Sequence, residues 1–368
     1  MKSITSNRWL TGAALAVSAG AAATLTAPAM AHASPVDAGT KAHAAAQTSQ
    51  NATVTHQNSL TPAVRRLVKG TGVAAERNAV ATYWTAARMK AAKPVEQSPA
   101  FKRLGAAPHR NRLAPAKAQG PAASVAPSRA STAPRAVTSP SRISAQTWSP
   151  NLPYYYPAAR TNGKVFFTRA GANYVCSASI VNSEGKSLVW TAGHCVVDGR
   201  VWDSNFAFVP SYNNGSRPYG TWYSRQLTTT SAWYYNRDFT QDNGAATMYR
   251  NFGYRIAVYL GGQGIAWNQS ANYYTCAFGY PQAPPYTGAY LTEVCGNTYN
   301  PGNGTIYMYS GMTGGSSGGP WFRNFDGNWG YVNGHNDFIY TNSPSYMYSP
   351  YYGNQVASLY NAVRNQTS

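Results

Sequence analysis

The residues able to do chemistry sit in three short segments. Residues 189–196 read Val-Trp-Thr-Ala-Gly-His-Cys-Val, residues 242–246 read Asp-Asn-Gly-Ala-Ala, and residues 314–320 read Gly-Gly-Ser-Ser-Gly-Gly-Pro. A serine hydroxyl attacks a carbonyl only when an imidazole takes its proton, and a carboxylate on the far ring nitrogen must hold that imidazole in the right tautomer. The glycines around Ser317 meet a further need: they let backbone N–H groups turn toward a developing oxyanion without side chains blocking the carbonyl's approach. A glycine-rich loop alone also makes ordinary turns, whereas Ala-Gly-His-Cys after a strand-like apolar run is a stronger signal. Beyond residue 150 the only histidines are His194 and His335, so a structural role for His194 becomes the weaker explanation once the three segments are taken together.

These side chains need a scaffold that carries loops at strand ends. After residue 150, Tyr, Trp, Phe, Val, Thr, Asn and Gly dominate, and strand-type runs recur at residues 164–169, 174–181, 187–191, 205–209, 245–249, 255–260, 272–280, 305–308, 321–323 and 330–333. Turn signals such as Asn-Gly, Gly-Gly and Asn-Pro separate them. The pattern predicts an all-β barrel or sandwich and not alternating βαβ units. Residues 352–364 place Val356, Leu359, Tyr360 and Val363 on a helical spacing, which predicts a terminal helix packed on the β domain. Most of the 28 tyrosines and 10 tryptophans are expected in the core and over strand edges. The clusters at 154–156 and 346–352 offer a sugar- or peptide-binding surface as the alternative.

The rest of the chain has a different texture. Residues 1–33 carry Lys2 and Arg8, an apolar run and small residues before Ala31 and Ala33, the pattern of a secretory signal peptide. Residues 34–145 form a basic Ala/Pro/Ser-rich propeptide or linker, with short helices expected at 59–92 and a flexible tether after Lys93, where little can be buried. Of the formal charge of +19, residues 34–150 hold 16 basic against 3 acidic groups and residues 151–368 hold 12 against 8. The excess therefore lies mainly off the segment that carries the chemistry, which argues against a specific nucleic-acid protein and leaves nonspecific binding by residues 41–142 as a rival role. After the signal no apolar run is long enough to expect stable membrane insertion.

Cys176, Cys195, Cys276 and Cys295 suit an exported protein, and three connectivities are open, of which two local bridges are the simplest. Cys-x-x-Cys knuckles, a Walker loop, a dinucleotide fingerprint and His-Glu-x-x-His are all missing from the sequence, so neither a metal nor a cofactor is expected.

The three segments resemble those of the chymotrypsin-like serine peptidases, in the bacterial branch that includes glutamyl endopeptidases. The resemblance spans about 200 residues, from Gly163 to the terminal helix, and places a peptidase domain at 146–368. It implies two six-stranded antiparallel β barrels with a C-terminal helix, and a secreted, extracellular, monomeric endopeptidase acting on proteins or peptides. It further implies His194 as general base and then acid, Asp242 as its orienter with Asp238 as a rival, Ser317 as nucleophile, and the N–H groups of Gly315 and Ser317 as the oxyanion hole. A Cys176–Cys195 disulfide beside the histidine follows from it, which leaves Cys276 and Cys295 to pair.

Two departures from the family pattern matter. Ser316 stands where the animal digestive members have an aspartate that receives a new N-terminus, so activation by cutting at Arg142-Ile143 is not expected; residues 34–145 act instead as folding aid, inhibitor or tether. Gly311, six residues before the nucleophile, removes the acid that selects Lys or Arg. Gly311, Met312 and His335 are the expected primary pocket, and His335 points to a preference for Glu or Asp. A small- or aromatic-preferring peptidase, favoured by Met312, is the alternative. A catalytically silent binding protein of the same fold is the rival of another class.

Overall fold

The computed structural model describes residues 52–102, 116–131, 149–150 and 156–367. The signal segment at 1–33 and the dipeptide Arg142-Ile143 lie outside the described residues. Among the described residues no helix is long and apolar enough to cross a membrane.

Six antiparallel strands close into a barrel in the order Trp222–Thr230, Ser204–Pro210, Asn162–Arg169, Ala172–Val181, Leu188–Thr191 and Gly244–Met248, the last pairing back onto the first. Successive side chains of a strand point to opposite faces. Val165 and Phe167, Ala178 and Ile180, and Phe206 and Phe208 therefore fill the barrel interior. Their neighbours Phe166, Val175, Ala207 and Val209 point the other way, into a second core shared with the rest of the domain. Both faces are buried, which is why these runs read as nearly continuous apolar stretches instead of clean alternation.

The second half corrects the expected architecture. Gly264–Trp267, Tyr331–His335, Pro320–Arg323, Tyr274–Gly279 and Thr292–Asn297 are neighbours in one sheet, and its two end strands do not pair with each other. Among the described residues only one barrel is present, not two. Two observations account for this. Thr305–Tyr309, Ser343–Pro350 and Phe338–Tyr340 form a ladder of their own, and the free edge of Gly264–Trp267 is taken by Ala123–Val125.

The terminal helix runs from Asn354 to Val363 and buries Val356, Leu359, Tyr360 and Val363 against the second core, as the spacing predicts. Residues 255–260, read as a strand, are instead the helical turn Ile256–Leu260. So short an apolar run fits either period, and Ile256, Ala257 and Leu260 all find buried positions in the helical form.

The segment before the domain is folded onto it. Thr53–Gln57 pairs antiparallel with Trp222–Thr230, and helices follow at Pro62–Arg65, Val73–Tyr83 and Ala86–Ala91. Thr61 and Thr85 cap the first and last of these. Trp84 and Met89 are fully buried, and the Trp84 indole donates to the Asn205 carbonyl at 3.0 Å. Order continues through Lys93–Pro94, Val95–Gln97 and Pro99–Lys102, where the sequence suggested a tether. Composition misleads here because this stretch needs no core of its own: Val95 is buried among Phe167, Tyr174 and Cys176 of the barrel.

Candidate active site

Barrel register brings the first two candidates together. Thr191 ends one strand opposite Gly244 at the start of the next, so the short turn Gly193–Cys195 that follows the first lies beside Asp242, which precedes the second. The Asp242 carboxylate accepts from the His194 backbone N–H and meets His194 Nδ1, each at 2.7 Å. A side chain at Gly193 would put its Cβ 2.6 Å from Asp242 Oδ1 and 2.8 Å from Thr229 Oγ1, so only glycine lets the turn approach this closely. Asp238 is occupied elsewhere: its carboxylate accepts from the N–H and hydroxyl of Thr240.

Two further features hold the histidine turn. Cys176 and Cys195 form one disulfide, and Cys276 and Cys295 form the other between directly opposed strand residues. Arg169 donates to the His194 carbonyl at 2.7 Å and pairs with Asp203 through two bonds of 2.7 and 2.8 Å. Burial pushes the Asp203 carboxyl up to about 6, against the lowering effect of Arg169.

His194 is fully buried. Burial opposes its charge, but the Asp242 carboxylate in contact with it outweighs this and raises its pKa above the ordinary imidazole value. A second carboxylate is close, with Asp337 Oδ1 3.4 Å from His194 Nδ1. Two buried carboxyls this near one another do not both ionise. Burial first, and then the charge of Asp242, drive the Asp337 carboxyl well above the usual carboxylate range.

The Ser317 loop runs by the histidine turn, with the Ser317 carbonyl 3.6 Å from the Cys195 sulfur. Gly315 has φ of +95°, and a Cβ there would meet the Tyr280 carbonyl at 2.9 Å. The Gly315 carbonyl accepts from the Ser177 hydroxyl at 2.9 Å, which turns its peptide, and the Ser316 hydroxyl is spent on the Thr313 carbonyl. Ser317 Oγ donates to Glu96 Oε1, and the Gly315 N–H donates to Glu96 Oε2 at 3.1 Å. Among the described residues His194 Nε2 has no hydrogen-bond partner. The serine proton is thus directed to Glu96 in this state and not to the imidazole.

The expected pocket residues are only partly gathered. Gly311 has φ of +66° with open space around it, and Met312 is buried beside Trp321, Ile306 and Met308. His335 is placed on the other face of its strand. Its Nδ1 meets the Tyr352 hydroxyl at 2.9 Å, and burial lowers its pKa to about 3. The next residue, Asn336, turns toward Met312, with its amide 3.4 Å from the Met312 sulfur and 3.2 Å from the Ser316 carbonyl. Asn336 lies just beyond the strand Tyr331–His335 and so is not bound to its alternation.

Glu96, Asp337 and Asn336 are site residues that the sequence did not disclose. The signal for Asp337 and Asn336 was their place immediately after His335; for Glu96 there was only its rarity, as one of 3 acidic residues between 34 and 150. His194, Asp242 and Asp337 have ligand atoms within 4.8 Å of one another, but two of them are already bonded together as the histidine–carboxylate pair. The other groups of this kind, Cys176 with His194 and Cys195, and Cys276 with Glu293 and Cys295, have their sulfurs committed to disulfides.

Comparison with known proteins places the chain among proteases. It is similar to the protease Anisep from Arthrobacter nicotinovorans, at 38% identity over 56% of this chain and 97% of that one, with a TM-score of 0.55. A thermostable serine protease AL20 from an extremophilic microorganism matches at 36% identity over 57% of this chain and 99% of that one, TM-score 0.55. A Glu endopeptidase structure shares the fold at 15% identity over 60% and 97%, TM-score 0.50. No family model and no curated protein sequence matches.

Proposed function

The chain belongs to the bacterial serine proteases of the chymotrypsin fold, and from that premise we propose that it is a secreted endopeptidase whose nucleophile is Ser317. Secretion rests on the signal-like residues 1–33 and on two disulfides, which persist in oxidising compartments. One observation carries the mechanism: Ser317 Oγ and the Gly315 N–H converge on a single carboxylate, and the Ser317 carbonyl lies 3.6 Å from the sulfur of Cys195, the neighbour of His194. A backbone N–H that receives a carboxylate oxygen is suited to the oxyanion of a tetrahedral intermediate.

In turnover Ser317 Oγ attacks the scissile carbonyl and its proton passes to His194 Nε2. The imidazolium is stabilised by Asp242, while the N–H groups of Gly315 and Ser317 hold the new oxyanion. His194 then gives its proton to the leaving amine, which departs as the carbonyl re-forms on Ser317. Water, deprotonated by the same imidazole, hydrolyses the acyl-enzyme. Mass spectrometry of the secreted protein after reaction with a fluorophosphonate tests the assignment and also reads the mature N-terminus. The expected adduct is on Ser317; a folded mature enzyme left unmodified there overturns it.

For the primary pocket, the uncharged alternative has the better support. His335 is a buried neutral imidazole bonded to Tyr352, whereas Met312 and Asn336 lie against each other beside the nucleophile loop. Neither of these offers a positive charge to a substrate carboxylate. Profiling with a peptide library should give most cuts after small or aromatic residues, and a majority after Glu or Asp would restore the role of His335.

A further inference from the structure

The cleft holds part of the chain itself. Lys93–Pro94 pairs in parallel with Tyr174 and Val175, and the turn Val95–Gln97 brings Glu96 to the nucleophile. Its carboxylate takes the Ser317 hydroxyl and the Gly315 N–H. Gln282 fixes the entry by donating to the Ala92 carbonyl at 2.8 Å. Beyond the turn, the ring of Phe101 stands edge-on to the His194 imidazole at 5.2 Å and reaches Phe239 at 6.4 Å. The group presented to Ser317 is a side-chain acid and not a peptide carbonyl, so the occupant offers no bond to cleave.

We propose that residues 53–102 are an inhibitor built into the chain, with Glu96 as its active group, seated where the oxyanion of the reaction forms. This rests on the assignment of Ser317 as nucleophile and adds the state in which the enzyme is made. Glu96 acts twice. It fills the site that is complementary to an anion, and it draws the Ser317 proton away from His194. Phe101 covers the imidazole that would otherwise receive it.

The same contacts say how the inhibitor is retained. Thr53–Gln57 extends the barrel sheet over five residue pairs, and Trp84, Met89 and Val95 are fully buried. None of these contacts depends on a peptide bond beyond Lys102. A cut after that residue therefore leaves the segment bound, and activity waits on its release or destruction.

The test uses the full chain with Glu96→Ala, Glu96→Gln and the double variant Glu96→Ala/Ser317→Ala, each treated with a fluorophosphonate. Labelling is followed on the intact mass that still contains residues 53–102. Loss of a hydrogen-bonded charge is expected to speed labelling of Glu96→Ala roughly 10- to 100-fold over the unaltered chain, with Glu96→Gln between the two. Equal, measurable rates in the unaltered chain and in both folded Glu96 variants overturn the inhibitor. Should Glu96→Ala fail to fold, Glu96→Gln decides alone, since it keeps the shape and removes the charge. Labelling that persists in the double variant, or a folded Glu96→Ala that takes no label at all, overturns the assignment of Ser317 instead.

Discussion

Asp242→Asn is expected to lower kcat by about 10⁴ in the enzyme freed of residues 53–102, because an amide on Nδ1 of His194 holds the ring in the wrong tautomer. The competing acids should behave differently. Asp238→Asn removes only the acceptor for Thr240 and should leave kcat within a factor of two or so, the scale of a surface substitution. Asp337→Asn replaces a carboxyl whose pKa is raised well above the usual range by an uncharged group of the same shape, so its loss should stay within about tenfold. Comparing kcat for the three variants decides which carboxylate orients the histidine; a greater loss for Asp337→Asn than for Asp242→Asn would assign the role to Asp337. The pH profile supplies a sign. Catalysis needs neutral His194, and its carboxylate neighbour raises its pKa, so the acid limb of kcat/KM should lie above the ordinary imidazole value and not below it.

Arg169→Met is expected to cost roughly 3–5 kcal/mol of stability, the effect of breaking a buried ion pair by removing one partner. The guanidinium is nearly inaccessible, as is Asp203, and Asp198 lies 3.9 Å away on its other side. Asp198 keeps Arg237 at 2.6 Å, so Asp203 is the charge left stranded. Thermal unfolding should show a midpoint lower by roughly 10 °C, and Asp203→Asn in the same chain should recover part of it. The pH dependence follows from the folded carboxyl, already raised from 3.8 to about 6. A group whose folded pKa lies above its unfolded value loses stability as pH rises through that window. Without Arg169 the folded value rises further, so the deficit of the variant should be smallest near pH 4 and grow toward neutrality. An unchanged midpoint at neutral pH would show that Arg169 merely decorates the turn. Because the same guanidinium holds the His194 carbonyl, the variant should lose activity below its melting range as well.

The local chemistry was legible in the sequence for a physical reason: each part works within a few residues. Gly193 and His194 are adjacent, so the close approach to Asp242 and the imidazole that exploits it are written together. The turn of the nucleophile loop needs glycine at 315 and 318, where φ is positive, and the motif shows both. The terminal helix reveals itself through Val356, Leu359, Tyr360 and Val363 because its period is a property of one segment. Residues 222–230 were harder. Apart from Trp222, Tyr223 and Leu227, the buried positions of that strand are Ser, Thr and Gln, so a central barrel strand carries no apolar run.

What depended on distant pairing was decided by tertiary structure alone. Whether the second sheet closes turns on which strand takes the edge of Gly264–Trp267, and Ala123–Val125 takes it from about 140 residues away. His335 ends its strand on the Tyr352 hydroxyl while Asn336, just beyond, meets the Met312 sulfur, and both contacts join segments that the local sequence does not relate. The glycine-framed serine at 317 was identifiable from its own neighbours. Its partner in this state, Glu96, is 221 residues distant, and nothing local to either residue records that the fold brings them into contact.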